Sequence, residues 1–324
     1  MNGVVLGGTG GVWRVQRDDG VIIDTSLRGR VKKSNAGRRA DGSLRRDTIA
    51  AAADTLKLAI GDRVVLEQDE SSSAWTIARI LPRRSKLARR APGGGFGERV
   101  VAANVDQVVV VFAAANPEPH PRMLDRFLVI AASNDIPTLV VINKIDLVSA
   151  ADVHARFAAY ERAGYPLHLT STRTGAGLAA LAAALHGRVT AISGPSGAGK
   201  SSLLNAIYPG FNLRVGEISR SVNKGRHTTV GASMHPLPGP DGGFVVDTPG
   251  LREVGIWELD PRELARCFIE FRPHIDRCRF GDCLHRAEPG CAVRDAVAAG
   301  EVSADRYDSY LRLLEELERS ARAW

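Results

Sequence analysis

The pattern of apolar and polar positions divides the chain into three regions. Up to about residue 80, short apolar or alternating runs are separated by turn residues, which is typical of a small β-barrel. From about residue 99 to residue 256, apolar runs of strand length alternate with helical stretches, which predicts a mostly parallel, doubly wound sheet. From residue 257 onward the pattern is helical, with one insert that is rich in cysteine and histidine.

The first region predicts a β-barrel domain at residues 1–81, with an OB-fold as the leading candidate. The strand-like runs are Gly11–Val15, Val21–Ile23, Asp62–Leu66 and Trp75–Ile80. Between them lies a loop rich in Lys and Arg, from Lys32 to Arg46. The domain should be followed by a basic linker at residues 82–98, whose Pro and Gly content favours an extended segment.

The second and third regions predict an α/β domain at residues 99–256 and a mainly helical domain at residues 257–324. The α/β strands are expected at Gln107–Phe112, Thr138–Ile142, Leu167–Thr170, Val189–Ile192 and Phe244–Val246. Its helices are expected at Met123–Ala132, Leu178–Leu185 and Ser201–Ala206. The last domain should close with an amphipathic helix over Ala304–Ala323. Its apolar face is formed by Tyr307, Leu311, Leu314 and Leu317.

The positive charge is concentrated in the first third of the chain. Residues 1–99 contain 19 Lys and Arg against 11 Asp and Glu, whereas residues 100–324 contain 24 against 25. An excess on one side favours contact with a polyanion such as nucleic acid over a plain solvated surface. Because few aromatic residues accompany these charges, recognition of the backbone and shape of folded RNA fits better than base stacking.

Hydropathy gives no reason to place the chain in a membrane. The most apolar stretch, Val100–Ala115, is interrupted by polar residues and falls short of the roughly 18 apolar residues that a spanning helix needs. The first residues lack the pattern of a secretory signal. We therefore expect a cytoplasmic protein that makes no membrane contact.

A complete phosphate-binding loop connects a predicted strand to a predicted helix. It consists of Gly194, Pro195, Ser196, Gly197, Ala198, Gly199, Lys200 and Ser201, and we count the next residue, Ser202, among the nucleotide-binding residues. Glycines let successive backbone N–H groups surround phosphates at the N-terminus of a helix. Lys200 should reach the β- and γ-phosphates, and the Ser201 hydroxyl should bind Mg²⁺.

Asn143-Lys144-Ile145-Asp146 follows another predicted strand and indicates guanine recognition. The Asp146 carboxylate can accept hydrogen bonds from guanine N1–H and the N2 amino group, and adenine has no such pair of donors. Asn143 should act as a polar brace and Lys144 should lie flat against the base. Ser171, after the next strand, is expected near guanine O6, with the contact made through a backbone N–H. GTP is therefore favoured over ATP.

Two further segments should respond to the γ-phosphate. Asp247-Thr248-Pro249-Gly250 ends a buried strand, so Asp247 is placed to hold Mg²⁺ through water and the Gly250 N–H to meet the γ-phosphate. Gly225-Arg226-His227-Thr228-Thr229 lies where a first switch loop belongs. Thr229, or alternatively Thr228, should complete the Mg²⁺ ligands.

The sequence leaves open which residue orients the attacking water. Leu251 stands where Ras-like enzymes have a glutamine, and an aliphatic side chain cannot orient water. His227 is the nearest replacement in sequence, although a solvated loop histidine is an equal alternative. Lys200, Thr229 and His227 are thus the candidate catalytic residues.

All four cysteines lie between Cys267 and Cys291, which in a cytosolic chain favours a metal site over disulfides. Three of them form, with a histidine, the ligand set for one closed, tetrahedral structural Zn²⁺. These ligands are Cys278, Cys283, His285 and Cys291. Cys267 remains as an ordinary buried thiol.

The base-reading tetrad precedes the phosphate loop, which inverts the usual order in GTPases. With the zinc ligands, the switch loop and Glu98–Gln107, this order resembles the RsgA (YjeQ) family of ribosome small-subunit-dependent GTPases. The resemblance covers nearly the whole chain and implies an OB-fold, a circularly permuted GTPase and a zinc domain. It also implies binding to the small ribosomal subunit and its rRNA, with GTP hydrolysis to GDP that the subunit stimulates.

Two other functions remain compatible with the residues. The chain could be an RNA-binding scaffold that uses GTP only as a structural ligand, since Leu251 predicts slow intrinsic hydrolysis. It could also be a permuted GTPase that serves another RNA, because the charge of the first domain fits any RNA. We expect the protein to be a monomer.

Overall fold

The structure, a computed structural model, describes residues 1–27, 58–69, 73–90, 98–211, 233–239, 242–247 and 259–322. Its first domain is a closed five-stranded barrel with strand order β1-β2-β3-β5-β4. The strands are β1 (Asn2–Thr9), β2 (Val12–Arg17), β3 (Ile22–Leu27), β4 (Arg63–Gln68) and β5 (Trp75–Ile80). This architecture confirms the predicted OB-type barrel. The basic loop from Lys32 to Arg46 lies outside the described residues.

The barrel is filled by apolar side chains that alternate along its strands with residues facing outward. They are Val5, Val15, Val64, Leu66 and Ile77. Each is at most 1% exposed, as the two-residue period of a strand requires when one face is buried.

The segment predicted as an extended linker is a β-hairpin in part. Strand β6 (Lys86–Arg90) pairs with β7 (Glu98–Ala103) in an antiparallel two-stranded sheet. Backbone pairing and the burial of Leu87 in the main core prevail over the Pro and Gly content that suggested a linker. Lys86–Arg90 is therefore a paired strand within the segment that the sequence predicts to be an extended linker.

The barrel contacts the hairpin through hydrogen bonds of Asn104, a residue in the left-handed conformation, and of its neighbour Ala103. Asn104, with φ 55°, donates from its side chain to Gly61 O at 2.8 Å and accepts from the Arg84 N–H at 2.9 Å. Next to it, Ala103 N donates to Ile60 O at 2.7 Å. Because these groups are buried, their pairing fixes how the barrel meets the hairpin.

The central domain is built on a six-stranded sheet with order β10-β9-β8-β11-β13-β12. The strands are β8 (Gln107–Ala113), β9 (Thr138–Asn143), β10 (Leu167–Leu169), β11 (Val189–Ser193), β12 (Ser233–Pro236) and β13 (Phe244–Asp247). Only β12 runs antiparallel to its neighbour, so the predicted, mostly parallel sheet is confirmed. The helices between these strands are α1 (Pro121–Ala132), α2 (Ala150–Arg162), α3 (Leu178–Leu185) and α4 (Lys200–Ile207).

Strand β8 is buried along its whole length because both faces of the sheet are covered. Val108, Val110 and Phe112 join a core that continues into the C-terminal helices. Val109 and Val111 join a second core on the opposite face, beneath α3 and α4.

The C-terminal region is helical, as predicted. Its helices are α5 (Pro261–Cys267), α6 (Arg272–Ile275), α7 (Ala292–Ala298) and α8 (Ala304–Arg322). Leu314 and Leu317 of the predicted apolar face are buried. In the part of the chain that the structure describes, no helix is both long and apolar enough to cross a bilayer.

A buried arginine of α8 joins the C-terminal helices to the α/β domain. Arg306, which is 2% exposed, donates to Asp125 of α1 at 2.6 Å and to both carboxylate oxygens of Glu270 at 2.6 and 2.9 Å. Its guanidinium also lies over the rings of Phe268 and Tyr160, 4.8 and 5.2 Å from their centroids. A planar, permanently charged group suits such a site because one fork can satisfy two carboxylates.

We predict that Arg306→Met lowers the free energy of unfolding by about 3–5 kcal/mol, because it leaves two buried carboxylates without a cation. Urea denaturation followed by circular dichroism measures this change.

Arg126→Met is the matched control. Arg126 of α1 pairs with Glu316 of α8, the helix that carries Arg306. Both of these side chains are more than one quarter exposed. That substitution should cost about 0–1 kcal/mol. Equal losses for the two variants would show that the buried network does not hold the domains together.

Candidate nucleotide-binding site and metal centre

The carboxyl ends of the parallel strands bring the predicted nucleotide residues to one edge of the sheet. Asn143 ends β9, Ser171 follows β10, the loop from Gly194 to Gly199 follows β11, and Asp247 ends β13. These positions are separated by up to about one hundred residues in sequence, and the sheet alone brings them together.

The phosphate loop requires glycine at three positions. Gly194, Gly197 and Gly199 have φ of 135°, 80° and 92°, which side chains disfavour. A Cβ at Gly194 would lie 2.0 Å from Val111 O, and one at Gly199 would lie 2.4 Å from Asn143 Nδ2. Helix α4 begins directly after this loop, so its first backbone N–H groups are available to an anion.

Lys200 folds back over the loop that precedes it. Its Nζ donates to Gly194 O and Pro195 O, both at 2.9 Å, and the residue is 7% exposed. The ammonium therefore lies among the groups that would surround the phosphates. Ser201, the predicted Mg²⁺ ligand, is buried beside it in the first turn of α4.

The Asp247 side chain supports a cation at this edge. Its Oδ1 is buried and has no hydrogen-bond partner among the described residues. Burial raises the pKa of this carboxyl to about 7, and the nearby Lys200 ammonium offsets part of the rise. A hydrated Mg²⁺ would satisfy the unpaired oxygen and keep the group ionised, so the donor set of Ser201 and Asp247 fits the ion.

Asn143 connects the loops of the site. It is 1% exposed; its Nδ2 donates to Ala198 O at 2.9 Å, and its Oδ1 accepts from the Thr170 hydroxyl at 3.3 Å. This is the bracing role that the sequence predicts.

Asp146 lies in a short 3₁₀ helix, Ile145–Leu147, that directly follows Lys144. The Ser171 hydroxyl donates to its Oδ1, and Arg173 Nε donates to its Oδ2 at 2.7 Å. The backbone N–H of Ser171 donates to Ala176 O at 3.0 Å, within its own loop. The Ser171 hydroxyl thus orients Asp146, and the predicted contact of this loop with guanine O6 stays a prediction.

A segment that the sequence analysis missed lines the site after β8. Lys144, in a left-handed conformation with φ 62°, donates from Nζ to Asn116 O. The Pro117 ring would lie 3.4 Å from a Cβ at Gly197. Arg156 of α2 also donates to Ala114 O at 3.3 Å. The sequence signal for this segment was an Asn-Pro step three residues after the end of a buried strand.

Several predicted residues lie outside the described residues. They are His227, Thr228 and Thr229 of the first switch loop, and Thr248, Pro249, Gly250 and Leu251 after β13. Their roles remain predictions.

The four predicted zinc ligands converge in the C-terminal region. Sulfur and nitrogen atoms of Cys278, Cys283, His285 and Cys291 all lie within 4.8 Å of one another. His285 Nδ1 is 3.5 Å from Cys278 Sγ and 3.4 Å from Cys291 Sγ. Three thiols and one imidazole at such spacing form a set that Zn²⁺ prefers. Cys267 lies apart, with its Sγ 3.6 Å from Glu263 O.

The loop that presents His285 is fixed by neighbours that sequence reasoning missed. Glu288 accepts hydrogen bonds from three backbone N–H groups, two of them at Leu284 and Arg286. Although burial acts to raise the pKa of Glu288, these bonds hold it at about 2. From α8, the Tyr307 hydroxyl donates to His285 O at 2.6 Å and the Tyr310 hydroxyl to Leu284 O at 2.7 Å.

Comparison with known proteins agrees with this geometry. The RsgA GTPase family matches residues 80–257. The small ribosomal subunit biogenesis GTPase RsgA of Gemmatimonas aurantiaca is 55% identical over 316 residues, which is 97% of each chain. The protein of that name from Bacteroides fragilis is 35% identical over 321 residues, which is 98% of this chain and 97% of the relative.

Two solved structures have the same architecture over nearly the whole chain. YjeQ from Thermotoga maritima has a TM-score of 0.76 and 33% identity, with 98% of each chain covered. YloQ, described as a circularly permuted GTPase, has a TM-score of 0.70 and 26% identity, with 98% of this chain and 95% of the other covered. With its base-reading residues ahead of its phosphate loop, its barrel and its cysteine–histidine cluster, this chain belongs to the RsgA GTPase family and is a GTP hydrolase.

Proposed function

We propose that this GTPase acts in the late assembly of the small ribosomal subunit, which stimulates its hydrolysis of GTP to GDP and phosphate. The observation that carries the proposal is 55% identity, over 97% of both chains, to a protein named for small-subunit biogenesis. The basic excess of residues 1–99 supports contact between the barrel domain and rRNA. This role would place the protein in the cytoplasm.

In the proposed complex, the guanine base lies between Lys144 and the Asp146 carboxylate. Asp146 accepts from N1–H and the N2 amino group, which gives specificity for guanine. Lys144 covers one face of the base while its ammonium remains bonded to Asn116 O. Asn143 and Ser171 keep the base-binding loops in place.

The phosphates are proposed to bind the backbone N–H groups of the loop Gly194–Gly199 and of Lys200, Ser201 and Ser202. The Lys200 ammonium would move from its two carbonyl partners to the β- and γ-phosphates, where it opposes the charge that develops in hydrolysis. The Gly250 N–H is proposed to contact the γ-phosphate.

Mg²⁺ is proposed to bind with GTP through Ser201, Thr229 and, by way of water, Asp247. When bound, the ion neutralises charge on the β- and γ-phosphates. Asp247 is the ligand with the clearest support, because its buried Oδ1 lacks a partner among the described residues.

The cysteine–histidine cluster is proposed to hold one Zn²⁺ with a structural role. A set of four protein ligands leaves no open position for a substrate. We further propose functional units at residues 1–81 for RNA binding, 82–98 as a connection, 99–256 for GTP hydrolysis and 257–324 for zinc binding. A monomer is proposed as the active species, and light scattering would test its mass.

We predict that purified small subunits raise the GTP turnover of the wild-type protein, whereas large subunits do not. Lys200→Ala should lower stimulated turnover by about 100-fold or more, because it removes a cation that faces the developing charge. Phosphate release measured with small subunits, large subunits and no ribosome tests both points.

Arg122→Ala, at an exposed ion pair with Asp308, is the control and should keep wild-type turnover. Stimulation by large subunits alone would refute the small-subunit assignment. Equally slow turnover with small subunits, with large subunits and without ribosomes would favour the RNA-binding scaffold.

We predict that His227→Ala lowers stimulated turnover without changing the affinity for GTP, since a residue that orients water acts on chemistry and not on binding. Single-turnover kinetics and calorimetric titration separate the two quantities. Full stimulated turnover in this variant would remove His227 from the mechanism.

We predict that Cys291→Ser loses the bound zinc, because one of four ligands is removed. In small zinc modules the metal contributes on the order of 10 kcal/mol to folding, so the variant should also have a lower Tm. Elemental analysis and thermal denaturation measure these effects.

Cys267→Ala is the matched control, since Cys267 is buried yet lies apart from the cluster. It should keep one zinc per chain. A Cys291→Ser variant with a full zinc content would contradict the proposed ligand set.

A further inference from the structure

Both oxygens of the base-reading carboxylate are already engaged by protein groups. Ser171 Oγ donates to Asp146 Oδ1, and Arg173 Nε donates to Oδ2 at 2.7 Å. The Asp146 side chain is only 9% exposed, whereas that of Arg173 is 70% exposed. The arginine therefore lies at the solvent side of the carboxylate and shields it.

The backbone of the loop holds Arg173 in this place. Ser171 Oγ accepts from the Thr174 N–H at 3.2 Å, and Gly175 N donates to Ser171 O at 3.0 Å. These bonds close a turn around residues 172 and 173, shortly after strand β10, which is paired with β9. The turn thus presents the arginine side chain to Asp146, instead of leaving it on a free loop.

The loop that carries Asp146 is fixed from the other side. Ile145 N donates to Thr170 O at 3.2 Å, which joins the two base-binding loops directly before the acid. Arg173 Nη2 also reaches the backbone carbonyl of Asp146 at 3.4 Å. The guanidinium therefore contacts the side chain and the backbone of the same residue.

The number of acceptor positions on the carboxylate leaves room for a base. An ionised carboxylate has about four lone-pair positions, and two of them accept from Ser171 and Arg173. One position per oxygen remains, which matches the two donors of the guanine edge. The Ser171 hydroxyl, and to a smaller extent the Arg173 guanidinium, lowers the pKa of Asp146 and so favours its accepting form.

We propose that Arg173 is a positioning residue for guanine recognition: it fixes the plane of the Asp146 carboxylate, so that the two free acceptor positions face guanine N1–H and the N2 amino group. This inference rests on the proposed role of Asp146 in GTP binding. Arg173 acts through Asp146 and makes no contact with the phosphates, so it contributes to binding and not to hydrolysis.

The first experiment measures the Kd for GDP by calorimetric titration of the full chain. Arg173→Ala should raise the Kd about tenfold, because one charge-assisted hydrogen bond that orients the carboxylate is lost. Arg173→Lys, which keeps a positively charged donor, should raise it only about threefold. At saturating GTP, kcat should equal that of the wild type. Arg122→Ala, another largely exposed arginine with an acidic partner, should leave the Kd unchanged.

The second experiment removes the carboxylate on which Arg173 acts. Asp146→Asn should bind xanthosine diphosphate in place of GDP, because an amide can donate to the additional oxygen of xanthine. In that background, adding Arg173→Ala should change the Kd for xanthosine diphosphate by less than about twofold. A tenfold change there would show that Arg173 acts on nucleotide binding without the carboxylate and would overturn the proposal.

The outcomes separate this inference from the proposed function. A wild-type protein that fails to bind GDP would refute both. GDP binding by the wild type with an unchanged Kd in Arg173→Ala would refute only the positioning role. A lower Kd in Arg173→Ala would also overturn it, because Arg173 would then compete with the base for Asp146.

Discussion

The nucleotide site depends on one buried amide. Asn143 donates to Ala198 O in the phosphate loop and accepts from Thr170 in the second base-binding loop. At the point of contact, Gly199 leaves no space for a side chain, so the two loops meet at a fixed separation. A buried amide that is bonded to two other loops at once is costly to displace. It therefore sets the distance between the part of the site that reads the base and the part that holds the phosphates.

The parallel sheet explains why the site remains intact although the base-reading residues precede the phosphate loop in sequence. The edge where β8, β9, β10, β11 and β13 end is defined by parallel pairing and does not depend on which strand comes first in the chain. The inversion changes only where the chain enters and leaves the domain. It enters from the barrel and hairpin beside Asn104 and leaves after β13, from where it continues to the helices that Arg306 joins to α1. The barrel and the helical region with the cysteine–histidine cluster are thus attached at the two ends of one nucleotide-binding sheet.

Features that depend on local composition were predicted correctly from the sequence, whereas features that depend on a distant partner were missed. The buried strands, the glycine-rich loop and the cysteine–histidine set depend on local composition, and the structure places each where it was expected. Strand β12 was missed because Ser233–Pro236 is short and carries no alternating pattern. Strand β6, Lys86–Arg90, was taken for part of a linker because it becomes a strand by pairing with β7 and not through a pattern in its own residues. The burial of Arg306 was missed because an arginine on an amphipathic helix ordinarily faces water.

The sequence by itself identified the candidate chemical groups of this protein: an acid proposed to read guanine, a phosphate loop with its lysine, and three thiols with one imidazole. Each is a short motif that spans at most 14 residues of sequence, so the spacing is enough to recognise it. Only the tertiary structure decided which side chains orient them. Arg173 on Asp146, Asn116 on Lys144, and Tyr307 and Tyr310 on the zinc loop all come from other segments of the chain. Such partners leave no local pattern, because a hydrogen bond between distant segments requires only that the fold bring the two groups together.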